Sequence, residues 1–190
     1  SAFASFHDVE SDFHQETAIN WLQKNGVVNF YSDGTFKPEN PVNRAEFLKM
    51  LYESMGTTNF DSSVKLPFSD IPASEWYTKY VKQAYKDGII NGYPDGTFKP
   101  NNDINVLESL KIVGEAFLDV DSLYENDSNF SYCPNGFFTL DEEALLSENL
   151  DGSKLKKNEW YWKYVHVSGE LCLFDFALNA WGMAGFLFDS

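Results

Sequence analysis

Positive charge is what this sequence most lacks: 14 Lys and Arg stand against 29 Asp and Glu, a formal net charge of −15 over 190 residues. A chain so acidic repels phosphate backbones unless it gathers a compact basic patch, and no such patch is visible, which excludes a nucleic-acid binder. Long apolar runs are missing as well. The most apolar stretch, 180–188, falls well short of the roughly 20 residues that a bilayer crossing needs, and Asp175 and Asn179 lie just before it. Histidine is sparse: His7, His14 and His166 are the three, none at i, i+4 spacing from another and none beside a Ser or Cys with a nucleophile signature. No triad, phosphate loop or zinc motif is readable, and no catalysis, cofactor or metal is expected. The two cysteines, Cys133 and Cys172, lie outside any C-x-x-C spacing, so one disulfide or two buried thiols remain as readings. The chain opens on Ser1 with no basic region followed by an apolar one, and the expectation is a processed or excised segment.

What is present is aromatic and repetitive. Phe, Trp and Tyr make up 17% of the residues, enough apolar area to offset chain entropy, so one or two compact domains are expected rather than a disordered tail. The segment YSDGTFKP beginning at Tyr31 recurs as YPDGTFKP beginning at Tyr93, an offset of 62 residues. The register holds without a gap on both sides. Phe6-His7-Asp8-Val9 maps onto Phe68-Ser69-Asp70-Ile71, Gly26-Val27-Val28-Asn29 onto Gly88-Ile89-Ile90-Asn91, and Asn43, Glu46, Leu48 and Lys49 onto Asn105, Glu108, Leu110 and Lys111.

Each unit reads as helix, loop, helix. Ala18, Ile19 and Leu22 in the first copy, and Tyr77, Val81, Ala84 and Tyr85 in the second, have helical spacing, and Gly26 or Gly88 stops that helix. The loop holds an Asp-Gly turn, a Phe expected to plug the core, and Pro38 or Pro100, which favours an extended residue before it. Asn43 with Glu46, and Asn105 with Glu108, have capping-box spacing at the start of the second helix. Leu48, Leu51 and Met55, matched by Leu110, Val113 and Phe117, are expected to stripe its buried face.

These residues resemble the S-layer homology (SLH) module, whose pattern is a Phe-x-Asp-Val opening, a Trp-containing first helix, a Gly-Ile-Ile-x-Gly-Tyr-x-Asp-Gly-Thr-Phe-x-Pro loop and a Thr-Arg-Ala-Glu helix start. The second copy carries Phe68-Ser69-Asp70-Ile71, Trp76-Tyr77 and GIINGYPDGTFKP from Gly88 to Pro100; the first keeps VNRAEF from Val42 to Phe47, with Asn in place of Thr. The resemblance implies an all-α fold of helix-loop-helix repeats packed as a pseudo-threefold helical bundle. It also implies an extracellular place at a prokaryotic cell surface or cell wall, and binding of a secondary cell-wall polysaccharide, often pyruvylated, in grooves between repeats. The expected organisation is repeat one at 6–57, repeat two at 68–119, an acidic insertion at 120–158 and a degenerate or truncated third repeat at 159–190. Glu159-Trp160-Tyr161 and Tyr164-Val165 align with Glu75-Trp76-Tyr77 and Tyr80-Val81, and Phe117-Leu118-Asp119-Val120 is a candidate opening motif for that third copy. The insertion reads as a solvated excursion; it lacks the alternating Asp pattern and closing Glu of a calcium loop.

For a ligand, the informative feature is a difference between the copies: Arg44 in repeat one is replaced by Val106 in repeat two. Arginine offers a planar fork to a carboxylate or ketal oxygen, which valine cannot. Trp76, Tyr93, Asp95 and Gly96 are further glycan-binding candidates, because sugar sites use aromatic faces and turn amides. The alternative function is a structural or assembly module that has lost glycan binding and contacts other proteins, including surface-layer proteins. Asp8, Asp70, Asp33 and Asp95 read as caps of helices and turns, since a catalytic pair has no need to be copied in every repeat.

Overall fold

The structure, a computed structural model, describes residues 6–9, 16–29, 31–118, 120–125 and 163–164. Cys133, Cys172 and most of 120–158 and 159–190 lie outside the described residues. Among the described residues the regular elements are five α-helices: α1 (Glu16–Lys24), α2 (Arg44–Ser54), α3 (Thr78–Lys86), α4 (Val106–Phe117) and α5 (Val120–Glu125). No strand is formed there, and the only ladder contact is an isolated bridge between Asn43 and Asp103. The fold is all-α. It divides into two compact units, 1–105 and 106–190.

In the first unit the two repeats build the same parts from the same residues. Helices α1 and α3 each end in a paired bond: Val27 N–H to the Leu22 carbonyl and Gly26 N–H to that of Gln23, then Ile89 to Ala84 and Gly88 to Tyr85. Gly26 and Gly88 sit at φ of 73° and 79°, the left-handed geometry this stop requires. The Asp-Gly loops close alike. Gly34 N–H donates to Tyr31 O at 2.8 Å and Gly96 N–H to Tyr93 O at 3.0 Å.

Each loop is then tied to the opening motif of its own repeat. The Asp8 carboxylate accepts from the amides of Phe36 and Lys37 at 2.9 and 2.7 Å, and Asp70 accepts from those of Phe98 and Lys99 at 2.8 and 2.7 Å. Lys37 and Lys99 have φ of 61° and 59°, so the residue before each proline is left-handed rather than extended. Two successive amides thereby turn toward one carboxylate, and these charge-assisted bonds offset the strain of a left-handed lysine. Thus Asp8 and Asp70 hold loops about 28 residues away.

The stripe of α2 is broader than its spacing implies: Ala45, Phe47, Leu48, Leu51 and Tyr52 are buried, whereas Met55 is 42% exposed at the C-cap. Helix α2 packs against α3. Their contact is fastened by Tyr80 Oη donating to Glu53 at 2.5 Å and Tyr52 Oη to Asp87 at 2.8 Å. Phe60, from the connection between the repeats, stacks edge-on against both tyrosines.

In the second unit α4 buries Leu110, Ile112 and Gly114, while Val113 is half-buried and Phe117 is 57% exposed. The opening phenylalanines Phe6 and Phe68 are buried, whereas Phe117, at a helix end, is exposed. Gly114 admits a close neighbour: a Cβ there would come within 3.0 Å of Val120 and 3.1 Å of the Tyr164 ring. Tyr164 is buried and donates to Glu115, and Lys163 lies 4.9 Å from the centre of the Tyr164 ring. Glu115 is the register mate of Glu53, and Lys163-Tyr164 align with Lys79-Tyr80, where Lys79 lies 4.7 Å from the Tyr80 ring. The Tyr–Glu fastening of α3 to α2 is therefore repeated, with the same two residue types, between Tyr164 and α4.

Candidate functional site

Asn43 caps α2 with a complete capping box: its side chain accepts from Glu46 N–H, and the Glu46 carboxylate accepts from Asn43 N–H. That box fixes Arg44 as the first helical residue. The next two amides are taken by the loop of the other repeat, Arg44 N–H bonding Asn102 O at 2.9 Å and Ala45 N–H bonding Pro100 O at 3.0 Å. The α2 N-terminus is thus fully occupied by protein groups, so its dipole is not an anion site.

The Arg44 side chain follows its backbone onto repeat two. Arg44 Nε donates to Phe98 O at 2.9 Å, and the guanidinium carbon lies 4.9 Å from the Tyr93 ring centre and 4.7 Å from that of Phe98. Arg44 is 6% exposed, and Phe98 beneath it is fully buried. An arginine at a helix start ordinarily projects into water. Here aromatic stacking and a carbonyl bond hold it down.

Tyr93 also carries a second cation. Lys99 Nζ lies 4.2 Å from the Tyr93 ring centre and 3.3 Å from Asp95 Oδ2. Asp95 accepts from the amide and hydroxyl of Thr97, and the Thr97 hydroxyl bond, above all, lowers its pKa below the usual carboxylate range. In repeat one the corresponding bonds from Thr35 bring Asp33 down to about 2. Gly96 closes the turn, and its carbonyl accepts from Ser69 N–H at 3.0 Å.

Four of the five residues singled out from the sequence, Arg44, Tyr93, Asp95 and Gly96, therefore share one loop-and-helix junction. Trp76 has other partners: its half-exposed ring stacks edge-on against Tyr77 at 5.3 Å and Tyr80 at 6.4 Å. Lys99 was not among the candidates, although the doubled Phe-Lys-Pro triplet pointed to it. Among the described residues no group of three or more His, Cys, Asp or Glu is placed to hold a metal ion. No helix there is long and apolar enough to cross a membrane.

Residues 5–48 and 67–105 match the S-layer homology domain. The chain is 31% identical over 115 residues to a cellulosome-anchoring protein of Acetivibrio thermocellus, covering 59% of this chain and 26% of that protein. It is 34% identical over 107 residues to cell surface glycoprotein 1 of the same organism, 52% of this chain and 5% of the relative. To the S-layer protein of Bacillus thuringiensis subsp. finitimus it is 31% identical over 117 residues, 62% of this chain and 14% of that one. The chain thus spans about a quarter or less of the length of these relatives. Residues 5–48 and 67–105 of this cell-surface chain are S-layer homology domains.

Proposed function

We propose that the chain is a non-covalent anchor that fixes a surface protein to secondary cell-wall polysaccharide, by binding rather than catalysis. The observation that carries this reading is the gathering of Arg44 and Lys99 on one ring, Tyr93, in a chain with a net charge of −15. An anionic glycan would be repelled by most of this surface and attracted here. A pyruvylated sugar fits, since its ketal carboxylate suits a guanidinium and its ring faces suit an aromatic platform. Arg44 and Tyr93 form the centre of the groove, Asp95 and Gly96 shape the loop that presents Tyr93, and Trp76 is a separate stacking face.

The organisation that supports this function is repeat one at 6–57, repeat two at 68–119, an acidic insertion at 120–158 and a degenerate third repeat at 159–190. The repeated Tyr–Glu fastening, Tyr80 with Glu53 and Tyr164 with Glu115, supports the third copy and a pseudo-threefold bundle. With Val106 at its signature position, repeat two has no arginine to build a second such groove.

Sedimentation with purified cell-wall sacculi tests the reading. The chain should pellet with intact sacculi and stay in solution once the polysaccharide is chemically stripped. Equal sedimentation with both would reject polysaccharide as the ligand.

A further inference from the structure

The two loops share seven of eight residues, and they share their internal geometry. Lys37 lies 4.4 Å from the Tyr31 ring and 3.2 Å from Asp33, as Lys99 lies 4.2 Å from Tyr93 and 3.3 Å from Asp95. Their surroundings differ. The repeat-two loop receives a helix start: three of its carbonyls, of Phe98, Pro100 and Asn102, accept from Arg44 Nε, Ala45 N–H and Arg44 N–H. The register mates in repeat one are Phe36, Pro38 and Asn40, and among the described residues no donor reaches their carbonyls. Phe98 and Pro100 are buried where Phe36 and Pro38 are only half-buried, and Tyr31 is 48% exposed.

We propose that the repeat-one loop, 31–40, is a docking surface for the Arg-Ala helix start of an S-layer homology repeat in another protein chain. The occupant follows from the second loop, which has the same shape and holds that element. It must supply two successive first-turn amides and an arginine able to reach the Phe36 carbonyl and stack on Tyr31. This chain's own Arg44 is engaged on repeat two, and Val106 has no guanidinium, so a second copy cannot fill the loop without giving up its own packing. The partner is a different surface chain of the same repeat family, and the proposal does not depend on polysaccharide binding.

The probe is a stapled peptide with the sequence of residues 40–56, confirmed helical by circular dichroism and titrated into the full chain by fluorescence anisotropy. Saturable binding is expected, weakened about 10-fold or more when the peptide carries Arg44→Ala, a loss of about 1.4 kcal/mol or more. In the unaltered chain, amide shifts on peptide addition should centre on 31–40, and Tyr31→Ala in the chain should weaken binding by a similar factor. Trp21→Ala, which removes a half-exposed ring outside the loop, should leave it unchanged. The proposal is overturned if the helical peptide shows no saturable binding up to about 1 mM, if its Arg44→Ala form binds equally well, or if the shifts centre on 93–102.

Discussion

Repeats one and two are a controlled comparison within one chain. Their loops have nearly the same sequence, the same carboxylate clasp and the same left-handed lysine, yet Phe98 is fully buried and Phe36 is not. Loop conformation is therefore set within each repeat, by eight residues and one aspartate about 28 residues earlier. Loop burial depends on what docks from elsewhere, and only the second loop receives Arg44.

That contrast is sharpest at the two phenylalanines. Phe98→Ala removes a fully buried ring and should cost about 3–5 kcal/mol, whereas Phe36→Ala, half-buried, should cost about 1–2 kcal/mol. Urea unfolding of both variants measures the difference, and equal losses would mean that the first loop is covered as well as the second. Arg44→Ala is next in size. Arg44 is buried against the Tyr93 ring and bonded to the Phe98 carbonyl, so the fold is not indifferent to its loss. Loss of the stacking and of a charge-assisted bond should cost about 2 kcal/mol. Binding comparisons therefore need temperatures well below the lowered melting point.

The third variant pair should show equality. Asp8→Asn and Asp70→Asn each weaken two amide bonds of matching length, so each should cost about 1–2 kcal/mol. A large gap between them would break the claim that the clasp is set within each repeat. Smallest is a pH effect. Bonds from Thr35 hold Asp33 down to about 2, and bonds from Ser63 and Lys86 do the same for Asp61. For Asp8, burial pushes the carboxyl up, but the Phe36 and Lys37 amides outweigh it and leave it lowered. A depressed native pKa gives stability that is complete above the unfolded value of about 4 and is lost as pH falls through the native value. Carboxyl NMR titration should place the Asp33 midpoint near 2, and Thr35→Val should move it upward.

What the sequence disclosed follows the same division between local and distant. The doubled block, the glycine stops and the Asn43–Glu46 box are short-range patterns and were legible; the core role expected of both loop phenylalanines holds in full only for Phe98, which the Arg44 helix start covers. Asp8 and Asp70 read as ordinary caps because their partners lie about 28 residues along the chain. The left-handed Lys37 and Lys99 were hidden by the usual effect of a following proline; the carboxylate clasp overrides it. Arg44 was singled out by its type and its replacement by Val106, but its burial depends on rings contributed by the other repeat. Helical spacing chose Phe117 for the buried face of α4, whereas Ile112 and Gly114 fill that role because Val120 and Tyr164 press against Gly114.

The central claim, that the cation pair on Tyr93 is the anchoring point, is tested most directly by matched lysine variants in the two loops. Lys99→Gln and Lys37→Gln remove the same charge from the same loop position. Binding isotherms with purified cell-wall polysaccharide should show Lys99→Gln weakened roughly 3- to 10-fold, the effect of one partly exposed charge, and Lys37→Gln indistinguishable from the parent chain. Equal weakening by both, or by neither, would contradict the account.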